Sequence, residues 1–201
     1  VSAPQMLSVM VWLPRLSKLM RSGARKNTVM NKPLINIVLD DSRWEQELPL
    51  VNDLSDTVFN TTLEFVSSCE PSKLTSAELP IAVNLSLSNN ETVHLLNKQF
   101  RGMDKPTNVL SFANIDDPDF DFEPAGVEYL EIGDIIIALE TLQLEAAEKQ
   151  ISLADHFCHL LAHGLLHLLG YDHQEDAEAE HMEDFEVKIL HKLNIKNPYE
   201  E

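Results

Sequence analysis

Histidines at helical spacing on an otherwise apolar stretch constrain this chain most. Over residues 153–169, His156, His159, His163 and His167 fall within an arc of roughly 80° at about 100° per residue. The rest of the circumference is nearly all apolar, with Leu153, Phe157, Leu160, Leu161, Leu165, Leu166, Leu168 and Leu169. A helix that is apolar on most sides is buried. A polar stripe on such a helix must find partners, because an unpaired polar group is costly in a core. The fold must therefore wrap this helix while leaving its histidine edge on a cleft, a polar network or a metal.

The sequence that follows narrows the choice. His163-Gly-Leu-Leu-His167 places two imidazoles four residues apart, on one side of a helix. Gly170 can end that helix in a left-handed turn. The chain can then fold back and bring His173 to the same point. Three neutral imidazoles leave one position open on a tetrahedral ion, as in catalytic zinc sites. Zinc is the first choice, and nickel and copper also accept imidazole. His159 lies one turn back, about 6 Å along the axis, and suits a supporting or substrate-facing role. His156 reads as a rim residue or a residue of the N-terminal turn. His94, His181 and His191 carry no spacing signal.

Charge is distributed unevenly. Residues 1–39 hold six bases and no acid; all 33 acids fall in residues 40–201 against nine bases, a net of −24 there. Such a body repels nucleic acid at long range, so an RNA partner needs a local basic groove or a metal. Cys69 and Cys158 are too few and too far apart for a disulfide framework or a cysteine zinc site, and read as reduced thiols of a cytoplasm-like compartment. No apolar run is long enough to span a bilayer. The Met6–Leu13 run precedes its positive charges, the reverse of a secretory signal. Residues 1–30 are read as an extension outside the domain: an over-extended start, a tail or an organellar transit peptide, the last implying a matrix location.

Residues 31–201 read as one domain. Strands are expected over 34–39, 81–87, 108–112 and 132–139, the last central in the sheet. Helices are expected over 44–67, 91–100 with Asn90 as its cap, 140–149, 153–169 and 175–193. Residues 116–126 read as an acidic loop. The uneven interleaving predicts an α+β fold: a mixed sheet of about four strands packed with helices, with the histidine helix buried near the C-terminus.

The spacing H-x3-H-x2-G-x2-H resembles the metzincin protease motif, but Gly164 stands where those enzymes place a glutamate base. The whole stretch His163-Gly-Leu-Leu-His-Leu-Leu-Gly-Tyr-Asp-His173 resembles the YbeY family of rRNA maturation endoribonucleases more fully. Upstream, Asn97-Lys-Gln-Phe-Arg101-Gly-Met-Asp-Lys105-Pro-Thr-Asn108-Val-Leu-Ser111-Phe112 is similar to that family's second signature, and Gly133-Asp134-Ile135 to its strand motif. The resemblance spans about residues 33–200. It implies metal-dependent cleavage of single-stranded RNA, tied to the 3′ end of small-subunit rRNA and to ribosome quality control. It implies ligands His163, His167 and His173, and a functional arginine at Arg101.

The residues agree with that chemistry. Arg101 can grip a phosphate with a planar fork and stabilise transition-state charge; as a helix-end cation it would instead only complement the macrodipole. Lys105 can add a phosphate contact. Asp172 can orient the neighbouring His173 or simply stabilise the turn. Expected partners are rRNA and the small ribosomal subunit or its proteins, with neither DNA nor a membrane. Two other readings stand beside this one. A metzincin-like hydrolase needs a carboxylate base near the metal. An assembly factor with a structural metal needs a fourth ligand, from His159, His181 or Asp172.

Overall fold

The computed structural model describes residues 34–200. The expected extension at 1–30 and the domain start near Met30 lie outside the described residues.

β1 (Leu34–Leu39), β2 (Ile81–Ser88), β3 (Val109–Ala113) and β4 (Leu130–Ala138) form one sheet in the order β1-β2-β4-β3. β2 pairs parallel with β1 and β4, and β3 lies antiparallel along the outer edge of β4. The sheet is mixed, and β4 is internal because its Ile135, Ile136 and Ile137 are apolar on both faces. Among the described residues six α-helices complete the α+β domain: α1 (Trp44–Glu47), α2 (Val51–Cys69), α3 (Asn90–Arg101), α4 (Leu139–Glu148), α5 (Leu153–Leu168) and α6 (Asp176–Lys192).

The single helix expected over 44–67 is two helices. Pro49 disfavours helical geometry in the residue before it, and Leu48 sits at φ −138°, ψ 73°. The cap of α3 is also one residue earlier than expected. Asn89 accepts from the Thr92 N–H, while Asn90 accepts from the Thr141 N–H and hydroxyl and ties α3 to α4.

The two faces of the sheet differ. Val83, Leu85, Leu87, Ile135 and Ile137 point into the main core with α2 and α5. On the opposite face, Val93 of α3 packs on Leu110, Ile136 and Ala138. Beyond that patch the face carries a polar ladder, in which Asn36 donates to Asn84 and Asn84 donates to Asp134 across three strands.

Two glycines let α5 lie close on β3 and β4. A Cβ on Gly164 would sit 3.0 Å from Ser111 Oγ and 3.1 Å from Ile135 side-chain carbons. A Cβ on Gly133 would meet the Phe112 carbonyl oxygen at 2.2 Å and Leu168 at 2.8 Å. Gly133 follows a bulge in which Ile132 is the extra residue, and its φ of +148° is rarely adopted by L side chains. The missing side chain at Gly133 thus leaves room for Leu168 at the end of the histidine helix.

Candidate metal centre

α5 starts on Ser152, whose hydroxyl accepts from the Asp155 N–H. It ends in a Schellman-type turn: Tyr171 N–H reaches back to Leu166 O and Gly170 N–H to His167 O, each at 3.0 Å. Gly170 takes φ +94°. That turn swings the chain back so that His173 faces the helix it has just left. The ligand nitrogens of His163, His167 and His173 lie within 4.8 Å of one another. Ring centroids are 4.6 Å apart for His163 and His167, 5.0 Å for His167 and His173, and 5.5 Å for His163 and His173. The three residues expected from spacing are therefore brought together.

The hydrogen bonds fix which nitrogen faces inward. His163 Nδ1 donates to Glu186 Oε1 at 2.8 Å, and His167 Nδ1 donates to the Tyr171 carbonyl at 3.0 Å. Both acceptors lack a proton to give, so each Nδ1 carries the hydrogen of its neutral ring. The two Nε2 atoms then present bare lone pairs to each other at 3.0 Å. His173 Nε2 is buried without a hydrogen-bond partner. Facing lone pairs repel unless something positive lies between them. A tetrahedral ion with bonds of about 2.0–2.1 Å would hold nitrogens roughly 3.3 Å apart, close to the 3.0 Å between His163 and His167. The residues present fit one divalent cation bound through three Nε2 atoms.

Protonation favours the ligand form. Burial, then the neighbouring His163 and His173, pushes His167 down to about 2. Burial and His163 also lower His173. Among the described residues, the close group of potential ligands contains these three histidines alone.

The expected supporting residues are rearranged. His159 is not substrate-facing: it is 3% exposed, and its Nε2 donates to Glu186 Oε2 at 2.7 Å. His156 lies in the first turn of α5 and not at a rim. It is fully buried, and its Nε2 lies 2.7 Å from Glu145 Oε2, which also takes the Asn108 amide. Asp172 accepts from the His173 backbone N–H and the Gln174 amide, so it shapes the turn that delivers His173. His181 pairs with Glu70 and His94 with Asp104.

Glu186 is one of seven acids between positions 175 and 186, on the helix expected over 175–193. It is 1% exposed and touches two histidines of the stripe. Burial alone would raise its pKa, but the neighbouring His163 and the bonds from His159 and His163 outweigh that and hold it well below the usual carboxylate range. Met182, Phe185, Ile189 and Leu190 form the buried side of α6, and Glu186 falls among them. Tyr199 completes the group by donating its hydroxyl to Glu186 Oε2. Because Glu186 is buried and bonded to two histidine rings, it is a poor candidate for the exposed base that a metzincin-like hydrolase requires.

Arg101 ends α3, and Gly102 beyond it takes φ +66° in a left-handed cap. The adjoining Phe100 ring stands 5.7 Å from Phe112, which pairs with Asp134. α5 reaches the same end of the sheet, because Leu168 lies against Gly133. The arginine end of α3 and the histidine end of α5 thus flank one end of the β3–β4 pair from opposite faces. Arg101 is half-buried, and burial lowers its pKa. Lys105 follows on an exposed loop whose carbonyl is held by Asn97.

Fold and site together define a class: an α+β protein with a three-imidazole cluster built by one buried helix and the turn that follows it. Comparison with known proteins makes this specific. The family described as Endoribonuclease YbeY matches residues 44–194. A Paramagnetospirillum magneticum protein named Endoribonuclease YbeY is 47% identical over 131 residues, covering 64% of this chain and 79% of that one. Its namesake from Sinorhizobium fredii is 39% identical over 165 residues, covering 82% and 91%. A Thermotoga maritima protein solved in solution shares the fold at TM-score 0.50 and 24% identity, over 80% of this chain and 89% of its own. The chain belongs to the YbeY endoribonuclease family.

Proposed function

We propose that the protein is a metal-dependent endoribonuclease that cuts single-stranded RNA, matures the 3′ end of small-subunit rRNA and takes part in ribosome quality control. One observation carries the reading: three imidazole nitrogens converge with both Nδ1 protons on α5 already committed elsewhere, in a member of an endoribonuclease family. His163, His167 and His173 would hold one ion, zinc by preference, with nickel or copper compatible with the same donors. When bound, such an ion polarises a phosphoryl oxygen and acidifies water.

The remaining work falls to the chain. Arg101 would grip the scissile phosphate and offset the charge that builds on its oxygens. Lys105 would hold a neighbouring phosphate as a point charge. Glu186 and His159 are too buried to touch RNA and serve the site from behind. The partners in this reading are rRNA and the small ribosomal subunit, in the cytoplasm.

The test uses purified protein, an rRNA precursor and metal analysis. His167→Ala should lose both metal and cleavage. Arg101→Ala should keep the metal and lose cleavage by about 10²–10³-fold. Unchanged cleavage by a His167→Ala protein with proven metal loss would refute the reading. Product ends identify the nucleophile: a 2′,3′-cyclic phosphate means the neighbouring 2′-hydroxyl, and a 3′-hydroxyl with a 5′-phosphate means water.

A further inference from the structure

A carboxylate buried to 1% exposure is expensive, and here its donors are two imidazole rings and a phenol. Both oxygens are engaged. Oε1 takes the Nδ1–H of His163, and Oε2 takes the Nε2–H of His159 and the hydroxyl of Tyr199. The three donors come from distant parts of the chain: two turns of α5 and the segment after α6. That segment is itself folded locally, since Asn197 Oδ1 accepts from the Tyr199 N–H at 3.0 Å. The Tyr199 ring then stands edge-on to His159, 5.7 Å between centroids.

This arrangement is far more specific than packing requires. An apolar residue at 186 would fill the same space on α6 without burying a charge. A carboxylate becomes worthwhile when a cation lies on the far side of the ring it holds. It then fixes the tautomer, aims the opposite nitrogen and makes that nitrogen a stronger donor.

We propose that Glu186 and Tyr199 are positioning residues for the three-imidazole centre: Glu186 locks the Nε2 lone pair of His163 onto the cation, and the C-terminal Tyr199, with His159, locks Glu186. The C-terminal segment is thereby a strap on the metal centre, although none of its atoms is a ligand. This rests on the reading of His163, His167 and His173 as ligands.

The experiment titrates metal-free, full-length protein with Co²⁺ and reads the visible absorption of the bound ion, with ¹⁵N histidine spectra reporting tautomers. Wild type, His163→Ala, Glu186→Gln and Tyr199→Phe are compared. Wild type should bind and His163→Ala should not. Glu186→Gln should bind about 10–100-fold more weakly and lose the single Nδ1–H tautomer at His163. Tyr199→Phe, which deletes one hydroxyl from a partly exposed ring, should show a smaller loss and a mixed tautomer population. If wild type and His163→Ala bind alike, the ligand assignment fails. If wild type binds and His163→Ala does not, yet affinity and tautomer are unchanged in whichever of the other two variants folds, the strap is overturned and the metal centre stands.

Discussion

Asp134 shows how a single residue ties the sheet to pH. It is 9% exposed on the face away from α5, and burial pushes its carboxyl up to about 6 against an ordinary 3.8, with the Asn84 amide only partly compensating. The folded protein therefore holds a proton that the unfolded chain releases near pH 4. Stability is greatest below the unfolded value and falls as pH rises through about 6. Asp134→Asn keeps an oxygen for the Asn84 donor and removes the charge. It should stabilise the protein by up to about 3 kcal/mol at pH 7 and by little at pH 4, read from urea unfolding at both values. An equal effect at both pH values would show that the carboxyl is not the cause. Residues of this kind were only half legible. The motif Gly133-Asp134-Ile135 marked the position, but the partner strand that buries it is 50 residues away.

At the scale of elements, α5 is the part that the sequence describes best. Its period, its end at Gly170 and its three ligand candidates all follow from local spacing. Its start depends on one side chain, the Ser152 hydroxyl on the Asp155 N–H. Ser152→Ala should cost about 1 kcal/mol of global stability in denaturant melts. Cleavage and metal affinity should stay near wild type, because the site sits at the other end of the helix. A variant that lost metal without losing stability would mean that the first turn communicates with the site. By contrast, the helix expected over 44–67 rests on Leu50, Leu54, Val58, Leu63 and Val66, which all follow Pro49, so its apolar spacing carries no information about the break at Leu48 and Pro49.

Charge is a property of the whole molecule. The nine bases of residues 40–201 are scattered, and several are already paired: Arg43 with Asp41 and Glu140, Lys98 with Asp104, and Lys188 with Asp184. If Arg101 and Lys105 provide the phosphate contacts, binding of a short single-stranded RNA should show a log–log salt slope of only about −1.4. Fluorescence anisotropy over a salt series at fixed metal measures it. A slope several times steeper would place RNA on a basic surface beyond these two residues.

The sequence by itself determined the helix that is buried, the turn that ends it and the three imidazoles that meet, because a helical period and a glycine turn are set within about eleven neighbouring residues. Only the tertiary structure decided that His159 and His156 face acids rather than a cleft, that Glu186 and Tyr199 stand behind His163, and that α3 brings Arg101 to the end of the sheet where α5 finishes. Those are contacts between elements far apart in the chain. Which of seven acids on a helix turns inward depends on what packs against it.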